Sequence, residues 1–268
     1  MNILMNPLLF FVLSAFGLTV SAWLGALFRK RQNLLSRDAQ EYSDLVIGAT
    51  LTLLGLIIGF TFSMALTRYD LRKNYEEAEA NAIGTEFLRA DLLPDAEAAK
   101  VRVLLLRYLD QRILFYTTQD EQRLGQIDDL TGRLQAELWS AVRTQALAQP
   151  TAVAALAVSG MNDVLNSQGY TQAAWWNRIP VAAWCLMAAI AICANVLVGF
   201  EAKKPTGKSG FLWVLPLVIS IAFLLVADID TPRKGIIRVV PQNLVSLSES
   251  LHMQGSLSHR LEERKDMK

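Results

Sequence analysis

Apolar and polar positions in this chain alternate on the scale of whole helices. Residues 7–28 form an apolar run that stops at Arg29, Lys30 and Arg31, and residues 45–67 form a second that carries no charge over about 23 positions. Each is long enough to cross the ~30 Å hydrocarbon layer of a bilayer as a helix. Two more apolar runs, 179–200 and 211–227, lie in the C-terminal third. Through residues 68–176 charges recur, and apolar residues return at helical spacing. Val101, Leu104, Leu105, Tyr108, Arg112 and Phe115 share one face, as do Ile127, Leu130, Leu134, Leu138 and Val142. No stretch alternates strictly enough to be a strand. The pattern predicts an all-α integral membrane protein with four transmembrane helices, at 7–28, 45–67, 179–200 and 211–227. A helical extramembrane domain, 68–176, is inserted between the second and third. The C-terminal segment, 229–268, turns polar and is expected to be disordered from about residue 252.

Local signals refine these elements. The first run competes with a signal peptide, for which Val20-Ser21-Ala22 would be a cleavage site, but no Lys or Arg precedes it, so a retained helix is expected. Ser43 or Asp44 offers an N-cap for the second run. Past Thr67 that run turns polar without meeting Pro or Gly until Gly84, which predicts one continuous helix projecting out of the membrane. Breaks are expected at Leu93-Pro94-Asp95, at Thr117 to Asp120 and at Gln149-Pro150. Trp175 and Trp176 mark a membrane boundary, since indole rings favour the headgroup layer. Pro180 fits the first turn of the third span, and Asn195 within it is expected to bond across to another helix.

Composition agrees with a chain in two parts. Hydrophobic residues make up 52% of it and charged ones 19%, too apolar for an ordinary soluble domain and too charged for a protein wholly within lipid. A net charge of +1 supplies no field for nucleic acid. Cys185 and Cys193 stand about 12 Å apart along one helix, cannot bridge, and read as buried thiols. His252 and His259 fall in the polar tail, so no metal-ligand cluster and no cofactor site emerges. Gly207-Lys208-Ser209 imitates the end of a phosphate-binding loop, but Ala202 stands where a glycine is required. No nucleophile stands beside a base and no charge lies inside a span, which argues against an enzyme and against a pump. The short linkers 29–44 and 201–210 hold seven Lys and Arg, and the positive-inside rule assigns them to the cytoplasm, with the helical domain and both termini outside.

The runs Gly59-Phe60-Thr61-Phe62-Ser63-Met64-Ala65, Asn81-Ala82-Ile83-Gly84-Thr85, Leu88-Arg89-Ala90 and Leu92-Leu93-Pro94, followed by Asp228-Ile229-Asp230 with Pro232 and Gly235, carry a resemblance. In this order, over residues 40 to 250, they resemble the bacterial bestrophin-like family, and in layout the chain is similar to the bestrophin anion channels. The resemblance implies a homo-oligomer in the bacterial inner membrane. Small anions would be its partners and the second transmembrane helix would line the pore.

On that implication, Gly48, Thr52, Gly55, Gly59, Phe62 or Ser63, and Leu66 share the face that would look into a pore. Thr52, Gly55, Gly59 and Ser63 would make it wettable, Phe62 would form a constriction, and Arg68, Arg72 and Lys73 would ring the mouth. The competing reading is that Gly55 and Gly59, at GxxxG spacing, serve close helix packing and the arginines anchor the helix at the interface. Asp228, Asp230, Pro232 and Gly235 read chiefly as a boundary turn with solvated or paired acids. The function that contrasts with conduction is a membrane scaffold or sensor whose helical domain binds a protein partner.

Overall fold

The computed structural model describes residues 6–31, 37–201 and 212–266, with side chains described for 6–28, 42–201 and 212–254; every element among them is helical. In order these are α1 (Pro7–Arg31), α2 (Arg37–Arg89), a 3-10 turn (Ala90–Leu92), α3 (Asp95–Thr117), α4 (Glu121–Ala148), α5 (Ala152–Trp176), α6 (Val181–Glu201), α7 (Val214–Asp230) and α8 (Gln242–Asp266). Membrane-length apolar stretches fall within Pro7–Phe28, Tyr42–Leu92 and Ala152–Glu201. Helix α7 has 17 residues, about 26 Å at 1.5 Å per residue. Lys203, Lys204, Lys208 and the Gly207-Lys208-Ser209 sequence lie outside the described residues.

The helix breaks fall where Pro, Gly and capping residues place them. Pro94 precedes α3, Asp120 accepts the Gln122 amide at 2.8 Å to start α4, and Thr151 accepts the Ala154 amide at 3.1 Å to start α5. Helix α2 does run unbroken from Arg37 to Arg89, 53 residues and about 80 Å. It begins before Ser43 and Asp44, which are therefore interior helix residues and cap nothing. Helix α8 continues to Asp266. Leu, Glu, Arg and Lys, which fill 260–265, are strong helix formers.

The chain divides into two compact units. Residues 1–69 and 177–238 form one; residues 70–176 and 239–268 form the other. In the first, Leu18, Leu54, Ala65, Trp184, Met187, Ala191, Ile219 and Phe223 make a core on which Phe10 and Ile58 pack. The Phe10 and Trp184 rings meet edge to face at 5.1 Å. Helices α1 and α6 approach backbone to backbone, since a Cβ on Gly25 would strike the Val196 carbonyl and one on Gly199 the Ala22 carbonyl. Small residues at such crossings substitute close packing for a hydrophobic drive that lipid does not provide. Cys185 and Cys193 are exposed, contrary to the expectation of buried thiols. They stand beside Trp184 and Ala194, which occupy the packed face. Asn195 is buried, yet its amide donates to Ala191 O of its own helix at 2.8 Å and not across to another. The carbonyl one turn back is the nearest acceptor a helical side chain can reach.

The second unit is a helical bundle built on the polar half of α2. Val101, Leu104, Leu105, Tyr108, Arg112 and Phe115 are all buried, as the periodicity of α3 predicts. On α4 the buried face is Ile127, Thr131, Leu134, Leu138 and Val142. Leu130 is 40% exposed and Thr131 takes its place, a rotation of one residue from the predicted stripe. Trp175 is buried against Phe115 and Tyr116, with centroids at 5.1 and 5.4 Å, so it belongs to this core and not to a headgroup belt. Trp176 is exposed.

Candidate functional site

Two faces of α2 carry the features that bear on function. In its apolar half, Leu54, Thr61 and Ala65 are buried, and Leu51, Ile57, Ile58 and Phe62 pack partly against the core of their unit. These positions repeat at helical spacing and define the inner face. Gly48, Thr52, Gly55, Gly59, Ser63 and Leu66 lie on the other side and are exposed. A Cβ on Gly48, Gly55 or Gly59 would find nothing within 4 Å. Among the described residues, then, the three glycines serve no close packing, whereas Gly25 and Gly199 do. The hydroxyls are satisfied along the helix, Thr52 Oγ1 donating to Gly48 O at 2.8 Å and Thr61 Oγ1 to Ile57 O at 2.8 Å. The exposed face is therefore mixed, small at Gly48, Thr52, Gly55, Gly59 and Ser63 and apolar at Leu56 and Leu66, and the Thr52 hydroxyl oxygen keeps capacity to accept a hydrogen bond. Phe62 stands apart from it, half-buried against its own core.

The residues expected at a pore mouth do not share a surface. Arg72 is 1% exposed, and its Nε donates to Ala174 O at 3.2 Å. Arg68 is mostly covered, its guanidinium 4.0 Å from the Asp230 carboxylate. Lys73 is exposed. Both arginines fall on the inner face because their positions continue the Leu54, Thr61, Ala65 repeat, and a buried guanidinium cannot ring an aqueous entrance.

The acids that end α7 are buried and paired. Asp228 accepts the amides of Ile236 and Ile237 at 2.7 and 2.8 Å, and Asp230 accepts the Ile179 amide at 3.1 Å. A Cβ on Gly235 would come within 2.5 Å of the Asp228 carbonyl oxygen, so only glycine lets the chain turn back onto Asp228. Pro232 is buried in the same turn. Both carboxylates are engaged by backbone amides.

In the polar half the same inner face carries Glu76, Glu79 and Glu86, at 1%, 0% and 0% exposure. Glu76 accepts the Asn243 and Leu244 amides at 2.9 and 3.0 Å and the Asn243 side chain at 2.6 Å, which caps the N-terminus of α8. Glu79 pairs with Arg112 and accepts from Tyr116 at 3.2 Å and Thr171 at 3.1 Å. Arg112 stacks over Phe115 at 4.4 Å. Burial and the Glu79 charge raise the Tyr108 and Tyr116 hydroxyls above the ordinary tyrosine range. Helical periodicity could have located all three glutamates, because 76, 79, 83, 86 and 90 extend the repeat through Ala65 and Arg72. A search for apolar stripes passes over them. Among the described residues no three His, Cys, Asp or Glu side chains come together to hold a metal.

Helix α2 bares Gly48, Gly55 and Gly59 in its apolar half and carries three buried glutamates in its polar half. The bestrophin-like domain profile matches residues 9–244, and the chain belongs to the bestrophin-like family. Solved structures of a bacterial bestrophin homologue from Klebsiella pneumoniae share the fold. One superposes at a TM-score of 0.60 with 13% identity, covering 90% of this chain and 98% of that one. A point mutant of the same homologue gives 0.60 and 13%, covering 93% and 99%. No curated protein matches the sequence.

Proposed function

We propose that this protein is a homo-oligomeric channel for small anions, in which copies of α2 surround a conduit and present Thr52, Gly55, Gly59 and Ser63 to it. The observation that carries the reading is the bare stripe. Glycines at 48, 55 and 59 whose Cβ positions are open among the described residues cost helix propensity, about 1 kcal/mol each relative to alanine, and the face they free also presents the Thr52 and Ser63 hydroxyls. Membership of the bestrophin-like family and the fold shared with a bacterial bestrophin homologue support it. In this reading the spans are α1, residues 45–67 of α2, α6 and α7, with the bundle outside the membrane. The basic linkers 29–44 and 201–210 face the cytoplasm. Lys73, exposed one turn past the apolar stretch, is the cation nearest the entrance.

The test is reactivity. With Cys185 and Cys193 replaced by alanine, Thr52→Cys and Ser63→Cys proteins in chloride-loaded liposomes should react with a small charged thiol reagent, and chloride efflux should fall as they do. Liposomes that stay tight to chloride under varied voltage and pH, with both cysteines inert, would overturn conduction in favour of a scaffold whose bundle binds another protein.

A further inference from the structure

Of the three glutamates on the inner face of α2, Glu86 has no hydrogen-bond partner for either oxygen among the described residues. It is fully buried. Helix α5 closes over it at Gly160, where a Cβ would collide with Glu86 Oε2 and with the Arg89 guanidinium. The charged groups that act on it are Arg89, on its own helix, and Asp163, on α5. Arg89 is itself 3.9 Å from the Asp163 carboxylate, so its charge is shared. An ionised carboxylate in such a place forfeits its hydration and receives no donor in exchange. A proton removes that loss.

We infer that Glu86 is a proton-binding site of the helical bundle, held as a neutral acid under Gly160 while α5 is seated on α2 and surrendering its proton when α5 lifts away. Burial, with a smaller contribution from Asp163 and against the pull of Arg89, raises its pKa from 4.5 to about 8. The folded value thus lies above the open one. Stability of the α2–α5 contact is complete below about pH 4.5, declines as the pH rises, and has lost this contribution above about pH 8. Opening and proton release are therefore one event. The inference concerns the bundle alone and stands whether or not the protein conducts ions.

Hydrogen exchange of the α5 amides in the full-length protein, corrected for intrinsic rates, tests it. The opening constant should rise up to about tenfold per pH unit between about pH 6 and about pH 8, then level off. In Glu86→Gln, whose amide imitates the neutral acid, it should be flat across the range. Infrared difference spectra of the unaltered protein give a second readout: a protonated carboxylic carbonyl band should disappear with a midpoint near 8. A pH-independent opening constant, the same slope in Glu86→Gln, or no carboxylic band titrating in that range would each overturn the proposal.

Discussion

Arg112 shows how much of the bundle depends on single buried charges. Its guanidinium and the Glu79 carboxylate are both fully buried, so each is tolerable only because the other is present. Removing one leaves a charge in the interior, which typically costs about 3–5 kcal/mol. Arg112→Met should therefore lower bundle stability by that order in denaturant titrations followed by circular dichroism. The double change Arg112→Met with Glu79→Gln should recover a large part, since no bare charge remains. A single substitution within about 1 kcal/mol of the parent would mean that Tyr116 and Thr171 satisfy Glu79 unaided. At this scale the sequence was legible wherever polarity and position agree. The α3 face through Leu104, Tyr108 and Phe115 is an example, and Arg112 was placed on it by spacing alone. Where charge and burial conflict, as at Arg72, Glu76, Glu79 and Glu86, a reading that assigns charge to solvent has no means of choosing the interior. The hydrogen-bond partners of Arg72, Glu76 and Glu79 lie 33 to 168 residues away in the chain.

Helices meet the same limit in their termini and neighbours. The breaks before α3, α4 and α5 follow from Pro, Asp and Thr at the right places, all visible locally, whereas α2 begins ahead of its expected caps. The docking of α8 is not local. Its first turn is capped by Glu76, well over a hundred residues earlier, and Leu247 lies where a Cβ on Gly84 would come within 3.1 Å. Glu76→Ala should remove the cap, at a cost of about 1–2 kcal/mol, and free the beginning of α8. Limited proteolysis should then cut near residues 240–244 sooner than in the parent protein, with α3 to α5 unchanged. Glu76→Gln, which still accepts from the Asn243 and Leu244 amides but carries no charge toward the helix dipole, should fall between the two. Equal cleavage rates in all three proteins would show that apolar contacts of Leu244 and Leu251, both buried, hold α8 by themselves.

For the molecule as a whole, the glycines fall into two sets, one tied to folding and one to the proposed conduction. Gly25 and Gly199 bring α1 and α6 into backbone contact, whereas a Cβ on Gly48, Gly55 or Gly59 would meet nothing within 4 Å among the described residues. The sequence ranks the second set first, because Gly55 and Gly59 have the familiar GxxxG spacing; Gly25 and Gly199 form no local motif, and only the pairing of distant helices makes them necessary. The two sets should respond oppositely to the same chemistry. Gly199→Ala forces a methyl group against the Ala22 backbone and should lower thermal stability of the purified protein by several degrees, with reduced yield. Gly55→Ala and Gly59→Ala add a methyl to open space and improve helix propensity, so the fold of the subunit should be unharmed or slightly stabilised. Chloride efflux supplies the discriminating readout. If the stripe borders a conduit, Gly59→Leu should leave subunit stability near that of the parent while efflux falls at least several-fold, because one enlarged side chain is repeated by every copy around the axis. Efflux unchanged in Gly59→Leu, with stability and oligomeric state also unchanged, would place the stripe against lipid and remove α2 from the pore.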